Sequence, residues 1–182
     1  MLYAAREIKA KDGSTVILRN ADVQDAAALL EYLKATAKET RFLVSEPEEI
    51  NLTVAREEAF IQKTNESKTD LMLIATIDGR HVGNCAIHGM GQKSRYSHRC
   101  GVSVALYREF WGRGIARQMM AAVLEQAKAI GYEQAELEVV ADNTRAIALY
   151  ESLGFSVCGR LPNNMKYRDG TYADALFMVK PL

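Results

Sequence analysis

The segment Phe110-Trp111-Gly112-Arg113-Gly114-Ile115-Ala116 constrains this chain more than any other. Two glycines in three residues open the backbone, and a long amphipathic pattern follows directly. A helix in that position aims its unpaired first-turn N–H groups and its positive dipole end into the opening, a place suited to a pyrophosphate. Upstream, Val102-Ser103-Val104-Ala105-Leu106 alternates as a strand does. Strand, glycine turn and helix make an anion-binding layout. The helix is predicted over residues 114–130, where Ile115, Met119, Val123, Ala127 and Ile130 recur at helical spacing. Met120 and Leu124 widen its apolar arc, so burial on more than one side is expected.

A second segment narrows the choice. Ala135-Glu136-Leu137-Glu138-Val139-Val140 reads as a strand, and Asp142-Asn143-Thr144 then offers three good helix caps. A short helix follows over residues 146–153, Gly154 stops it, and Phe155 begins another strand. Arg113-Gly114-Ile115-Ala116, followed by Asn143 and then by Leu149-Tyr150-Glu151-Ser152-Leu153-Gly154-Phe155, resembles the GNAT superfamily of N-acetyltransferases. The resemblance runs from about Val16 to Val179 and includes the branch of ribosomal-protein alanine N-acetyltransferases. It implies an α/β fold: a mixed, mostly antiparallel central sheet of about seven strands, flanked by about four helices.

The totals agree with one such domain over residues 1–182. Apolar residues make up 48% and charged residues 25%, and the formal net charge is zero, so no general attraction to nucleic acid or anionic membrane is implied. No run of membrane-spanning or signal-peptide length occurs. Cys85, Cys100 and Cys158 are odd in number and far apart, which predicts reduced, mostly buried thiols in a cytoplasmic protein. His81, His88 and His98 lack a metal-ligand pattern, and no metal is expected.

Along the chain, Lys11-Asp12-Gly13 predicts a hairpin between residues 3–10 and 14–19. A helix is predicted over 22–38, a polar loop over 41–51, and a second helix over 53–65 burying Val54, Ala59, Phe60 and Ile61. Further strands are predicted at 71–77, 82–88, 96–106, 133–140, 155–161 and 172–179. The stretch 89–94 lacks the Gly-Lys-Ser/Thr ending of a phosphate loop and reads as a hairpin connection.

The resemblance also implies a site. Backbone N–H groups of Gly112, Arg113, Gly114, Ile115, Ala116 and Arg117 would hold the pyrophosphate of coenzyme A. Trp111 stands where the family motif usually carries Gln or Arg, which leaves the site more dependent on main-chain donors. Val104, Ala105 and Leu106 fall where the family's strand splays from its neighbour and pairs with pantetheine. An ordinary central strand is the alternative. Asn143, Ala146 and Tyr150 share one helical face, alongside which a ligand arm would run; Asn143 also serves as a plain cap in either case.

Acetyl transfer from a thioester to an amine needs a base, a stabilised carbonyl oxygen and a leaving thiolate. The resemblance makes Tyr150 the acid, or a strong hydrogen-bond donor in its place. Alternation sets Glu138 on the strand face opposite Leu137 and Val139, and the resemblance to ribosomal-protein alanine N-acetyltransferases, which use a Glu at this place as base, makes it the candidate base. A solvated or salt-bridged Glu138 is the alternative, as is a water relayed from another group. The expected function is acetyl-CoA-dependent N-acetylation of a primary amine, on a small molecule or a protein N-terminus. A non-catalytic acyl-CoA-binding module of the same fold is the alternative. The loops 38–51, 89–96 and 161–170 are expected to shape the acceptor pocket, and the terminal hairpin is a potential homodimer contact.

Overall fold

The computed structural model describes residues 1–91 and 93–182. Eight strands form one sheet: β1 (Arg6–Lys9), β2 (Thr15–Asn20), β3 (Leu71–Ile77), β4 (Arg80–Gly89), β5 (Arg99–Leu106), β6 (Gln134–Val140), β7 (Ser156–Lys166) and β8 (Tyr172–Pro181). Their order is β1-β2-β3-β4-β5-β6-β8-β7. Every neighbouring pair is antiparallel except β5 and β6. Four helices cover the faces: α1 (Ala26–Glu39), α2 (Val54–Glu66), α3 (Ile115–Ile130) and α4 (Thr144–Ser152). The expected fold class is present, with eight strands where the resemblance implies about seven; the predicted hairpin of β1 and β2 forms one edge of the sheet.

The sheet is a wall between two apolar layers. On one side α3 buries Ile115, Met119, Met120, Val123 and Ala127 against Leu71, Leu73, Val102 and Leu137, and Tyr150 of α4 joins this layer. On the other side α1 and α2 enclose Ala26, Leu29, Tyr32, Ile61 and Ile74. α3 carries the broadest apolar arc of the four helices, as its spacing requires.

Local chemistry explains the boundaries. Asp22 caps not α1 itself but the 3-10 turn Val23–Asp25, through a reciprocal pair. Its carboxylate accepts from the Gln24 N–H (3.0 Å), while Asp25 Oδ2 accepts from the Asp22 N–H (2.7 Å). α2 corrects the predicted face. Glu57, Ile61 and Thr64 are buried, whereas Val54 and Phe60 are 44% and 52% exposed and Ala59 is exposed. The three buried positions lie at i, i+4 and i+7, the narrow stripe by which this surface helix touches the fold. β5 begins at Arg99 rather than at 96, since Tyr96 closes a turn by accepting from the Arg99 N–H (3.1 Å). Cys85 and Cys100 are buried, and Cys158 on the edge strand β7 is exposed. Among the described residues no helix is long and apolar enough to cross a membrane.

Candidate active site

β5 and β6 run parallel but stay together for three residues only: Arg99 beside Gln134, Cys100 beside Ala135 and Gly101 beside Glu136. Beyond these, β5 continues on β4 as far as Leu106 opposite Gly83, and β6 continues on β8 as far as Val140 opposite Ala175. The sheet therefore opens into a wedge at its centre. Val104, Ala105 and Leu106 line one wall, without strand partners on the β6 side. Main-chain groups in such a place need a ligand or water.

The glycine turn follows the open end of β5. Gly112 and Gly114 both hold left-handed backbone, at φ 79° and 78°. Among the described residues, no main-chain or side-chain acceptor takes the N–H groups of Gly112, Arg113, Gly114, Ile115, Ala116 or Arg117. The first intrahelical donor is Gln118, to the Gly114 carbonyl at 3.4 Å. Six consecutive unspent donors at the positive end of a 16-residue helix fit a bound anion. The turn is braced from the β1–β2 hairpin. Lys11 N–H donates to the Arg113 carbonyl (2.9 Å), Arg113 pairs with Asp12 (3.0 Å), and the Arg113 guanidinium lies 4.9 Å from the Phe110 ring centre.

Two brace contacts escaped the sequence reading. Trp111 donates its indole N–H to the Leu106 carbonyl (3.0 Å), so the residue that departs from the family motif ties the glycine turn to the splayed strand. The Arg117 guanidinium donates to Ser152 Oγ (2.7 Å) and to the Ser152 carbonyl (3.2 Å), clamping the start of α3 to the end of α4. Its charge is thereby partly engaged, which leaves the main-chain N–H groups as the unspent donors of the turn.

α4 carries Asn143 at its N-cap and Tyr150 in its last turn. Asn143 Oδ1 accepts from the Ala146 N–H (3.2 Å), the capping role, and its amide NH2 has no partner among the described residues. Tyr150 is only 8% exposed and packs edge-on against Phe155, with ring centres 5.9 Å apart. No group among the described residues bonds its hydroxyl. Burial pushes this phenol up to about 12.

Glu138 lies across the sheet from that layer. Its side chain is exposed and forms no ion pair among the described residues; instead Oε1 accepts a hydrogen bond from Asn164 Nδ2 at 2.6 Å. Asn164 comes from β7, in a region predicted as loop. β7 in fact runs to Lys166, with a bulge that offsets Leu161 and Met165 on β8. The strand signal was masked by Pro162-Asn163-Asn164, which are turn-forming residues and also typical of a strand irregularity.

Two of the three predicted loops meet here. Arg41 pairs with Asp142, directly before Asn143, and stacks over the Tyr167 ring at 5.0 Å. Arg168 pairs with Glu48 (2.6 Å). The third loop does not take part. The β4–β5 connection, of which Gln92 lies outside the described residues, follows Gly89 opposite Cys100, at the far end of β5 from the wedge. Among the described residues no cluster of three His, Cys, Asp or Glu side chains could hold a metal ion.

Residues 37–155, more than half of the sequence, match the acetyltransferase (GNAT) family. The chain belongs to the GNAT family. An acetyltransferase of the GNAT family from Streptococcus pneumoniae superposes with a TM-score of 0.87 at 26% identity, over 92% of this chain and 99% of that one. An L-amino acid N-acetyltransferase of Escherichia coli K12 is 32% identical over 111 residues, 59% of this chain and 66% of that protein. A ribosomal protein bS18 alanine N-acetyltransferase of Salmonella typhimurium is 34% identical over 80 residues, 44% of this chain and 53% of that protein. The matched stretches thus span just under two thirds and about half of these two GNAT relatives.

Proposed function

We propose that this GNAT chain is an acetyl-CoA-dependent N-acetyltransferase acting on a primary amine, with an α-amine as the preferred acceptor. The wedge between β5 and β6 carries this reading. Six unspent N–H donors at the start of α3, Tyr150 in the apolar layer on one face of the sheet and Glu138 exposed on the other face support it. When bound, acetyl-CoA supplies an acetyl group activated as a thioester. Gly112, Arg113, Gly114, Ile115, Ala116 and Arg117 hold its pyrophosphate through main-chain N–H groups. The open edge at Val104, Ala105 and Leu106 pairs with the pantetheine arm, and Asn143 and Ala146 lie alongside it.

Glu138 removes a proton from the acceptor ammonium. An α-amine titrates near 7.8 and a lysine side chain near 10.4, so a surface carboxylate deprotonates the former at a smaller cost. Both curated relatives are named for α-amine acceptors, an amino acid and the alanine of a ribosomal protein. Tyr150 acts at the sulfur. Its burial fixes how: a phenol at about 12 facing a thiol near 8.5 makes full proton transfer uphill by about 5 kcal/mol. Tyr150 therefore donates a hydrogen bond to the developing thiolate and keeps its proton.

The test is release of free thiol from acetyl-CoA across a panel of L-amino acids, Ala-initiated peptides and lysine-bearing peptides, with products weighed by mass spectrometry. One acetyl group gained per thiol released, on α-amines first, supports the reading. Binding of acetyl-CoA without thiol release from any amine replaces it with a non-catalytic acyl-CoA-binding module.

A further inference from the structure

β6 and β7 are not neighbours, because β8 lies between them. Backbones two strands apart are separated by about 10 Å, at roughly 4.8 Å per strand. A hydrogen bond from β7 to a β6 side chain therefore needs a device that carries the donor over β8. The bulge supplies it. Leu161 stands opposite Ala175 and Met165 opposite Ala173, so Pro162, Asn163 and Asn164 together face Asp174 alone. Such insertions bend a strand and re-aim its side chains.

The bulge is pinned rather than loose. Asn163 holds left-handed backbone at φ 52°, a conformation that asparagine tolerates better than most residues with a Cβ. Asp174 Oδ1 accepts from the Asn163 N–H (2.8 Å), and Oδ2 accepts from Arg160 Nε (2.7 Å). The Asp174 carbonyl accepts from the Ala141 N–H (2.8 Å), just past the end of β6. One residue thus fixes the bulge relative to the strand that carries Glu138. The product of this arrangement is the 2.6 Å bond from Asn164 Nδ2 to Glu138 Oε1.

We infer that Asn164 is a positioning residue for the acetyl-transfer reaction. Delivered by the bulge at residues 162–164, its amide holds the Glu138 carboxylate in one orientation. This rests on the reading of Glu138 as the base.

The experiment uses steady-state kinetics with acetyl-CoA and either L-alanine or an Ala-initiated peptide. In Asn164→Ala kcat is expected to fall about tenfold, the effect of one hydrogen bond to a charged group, while KM for acetyl-CoA stays unchanged. In a Glu138→Gln background the same substitution has no further effect on kcat, whereas a merely structural role lowers both backgrounds alike. Asn164→Asp keeps the shape, removes the donor and adds a like charge, and it lowers kcat at least as far. Wild-type kcat in both variants overturns the inference, as does an equal loss in both backgrounds. A Glu138→Gln protein with wild-type rates overturns the base assignment and the inference with it. Loss of rate in Glu138→Gln without any effect of Asn164 overturns the inference alone.

Discussion

Replacing Tyr150 by Phe separates chemistry from packing. The ring stays against Phe155, and the hydroxyl that is removed has no bonding partner among the described residues. A hydroxyl that bonds no protein group adds little to the fold, and the packing of the ring is kept. The variant should therefore melt within a few degrees of the wild-type temperature. Activity should move the other way. A hydrogen bond to a group gaining negative charge contributes about 1.5–3 kcal/mol, which is about ten- to a hundredfold in kcat. The same bond is weak in the ground state, where the sulfur carries no charge, so KM for acetyl-CoA should hardly change. Because the phenol stands at about 12, its ionisation adds no alkaline limb to the wild-type profile in the usual assay range. The assay is continuous thiol trapping together with thermal melting. Wild-type kcat in a fully folded Tyr150→Phe protein would refute the role given to this residue. A large fall in melting temperature would refute the claim that its hydroxyl is structurally idle.

Other consequences follow from the same geometry. Gly114→Ala forces a side chain into left-handed backbone and sets its Cβ 3.3 Å from Lys11 Cγ. A cost of about 1–2 kcal/mol in stability is expected, with weaker coenzyme A binding by calorimetry. Glu138→Gln should lower kcat by about a hundredfold or more while acetyl-CoA still binds; wild-type turnover assigns the proton to a relayed water instead. His81 is buried between Tyr32 and Tyr107, and desolvation lowers its pKa to about 4. The unfolded chain binds this proton near 6.5 and the folded chain refuses it, so the stabilisation is complete above about pH 6.5 and is lost as pH falls towards 4. Its size is about 3 kcal/mol. Urea titrations at both ends of that window should show a loss in the wild type that His81→Phe largely removes.

What was legible in the sequence is what local pattern controls. The α3 stripe, the paired glycines and the Asn143 cap each depend on neighbours a few residues away, and each sits where its spacing requires. The wedge was legible only through resemblance, because the parting of β5 from β6 after three residue pairs depends on β8 continuing along β6. The Asn164 contact was not legible at all. It joins residues 26 apart in sequence across an intervening strand, and Pro162-Asn163 reads as a loop until Asp174 is seen to pin it. The α2 face was misjudged for a related reason: apolar spacing marks an arc, but the neighbours decide how much of it is covered, and Phe60 stays outside. The loop at 89–96 was assigned to the acceptor pocket without knowledge of which end of β5 it joins; strand direction places it at the other end.

The most direct measurement is a crystal structure of the chain grown with coenzyme A. The account predicts pyrophosphate oxygens about 3 Å from the main-chain nitrogens of residues 112–117. It also predicts a pantetheine arm paired with Val104–Leu106 and a sulfur beside the Tyr150 hydroxyl. Coenzyme A bound elsewhere, with the wedge filled only by water, would contradict it.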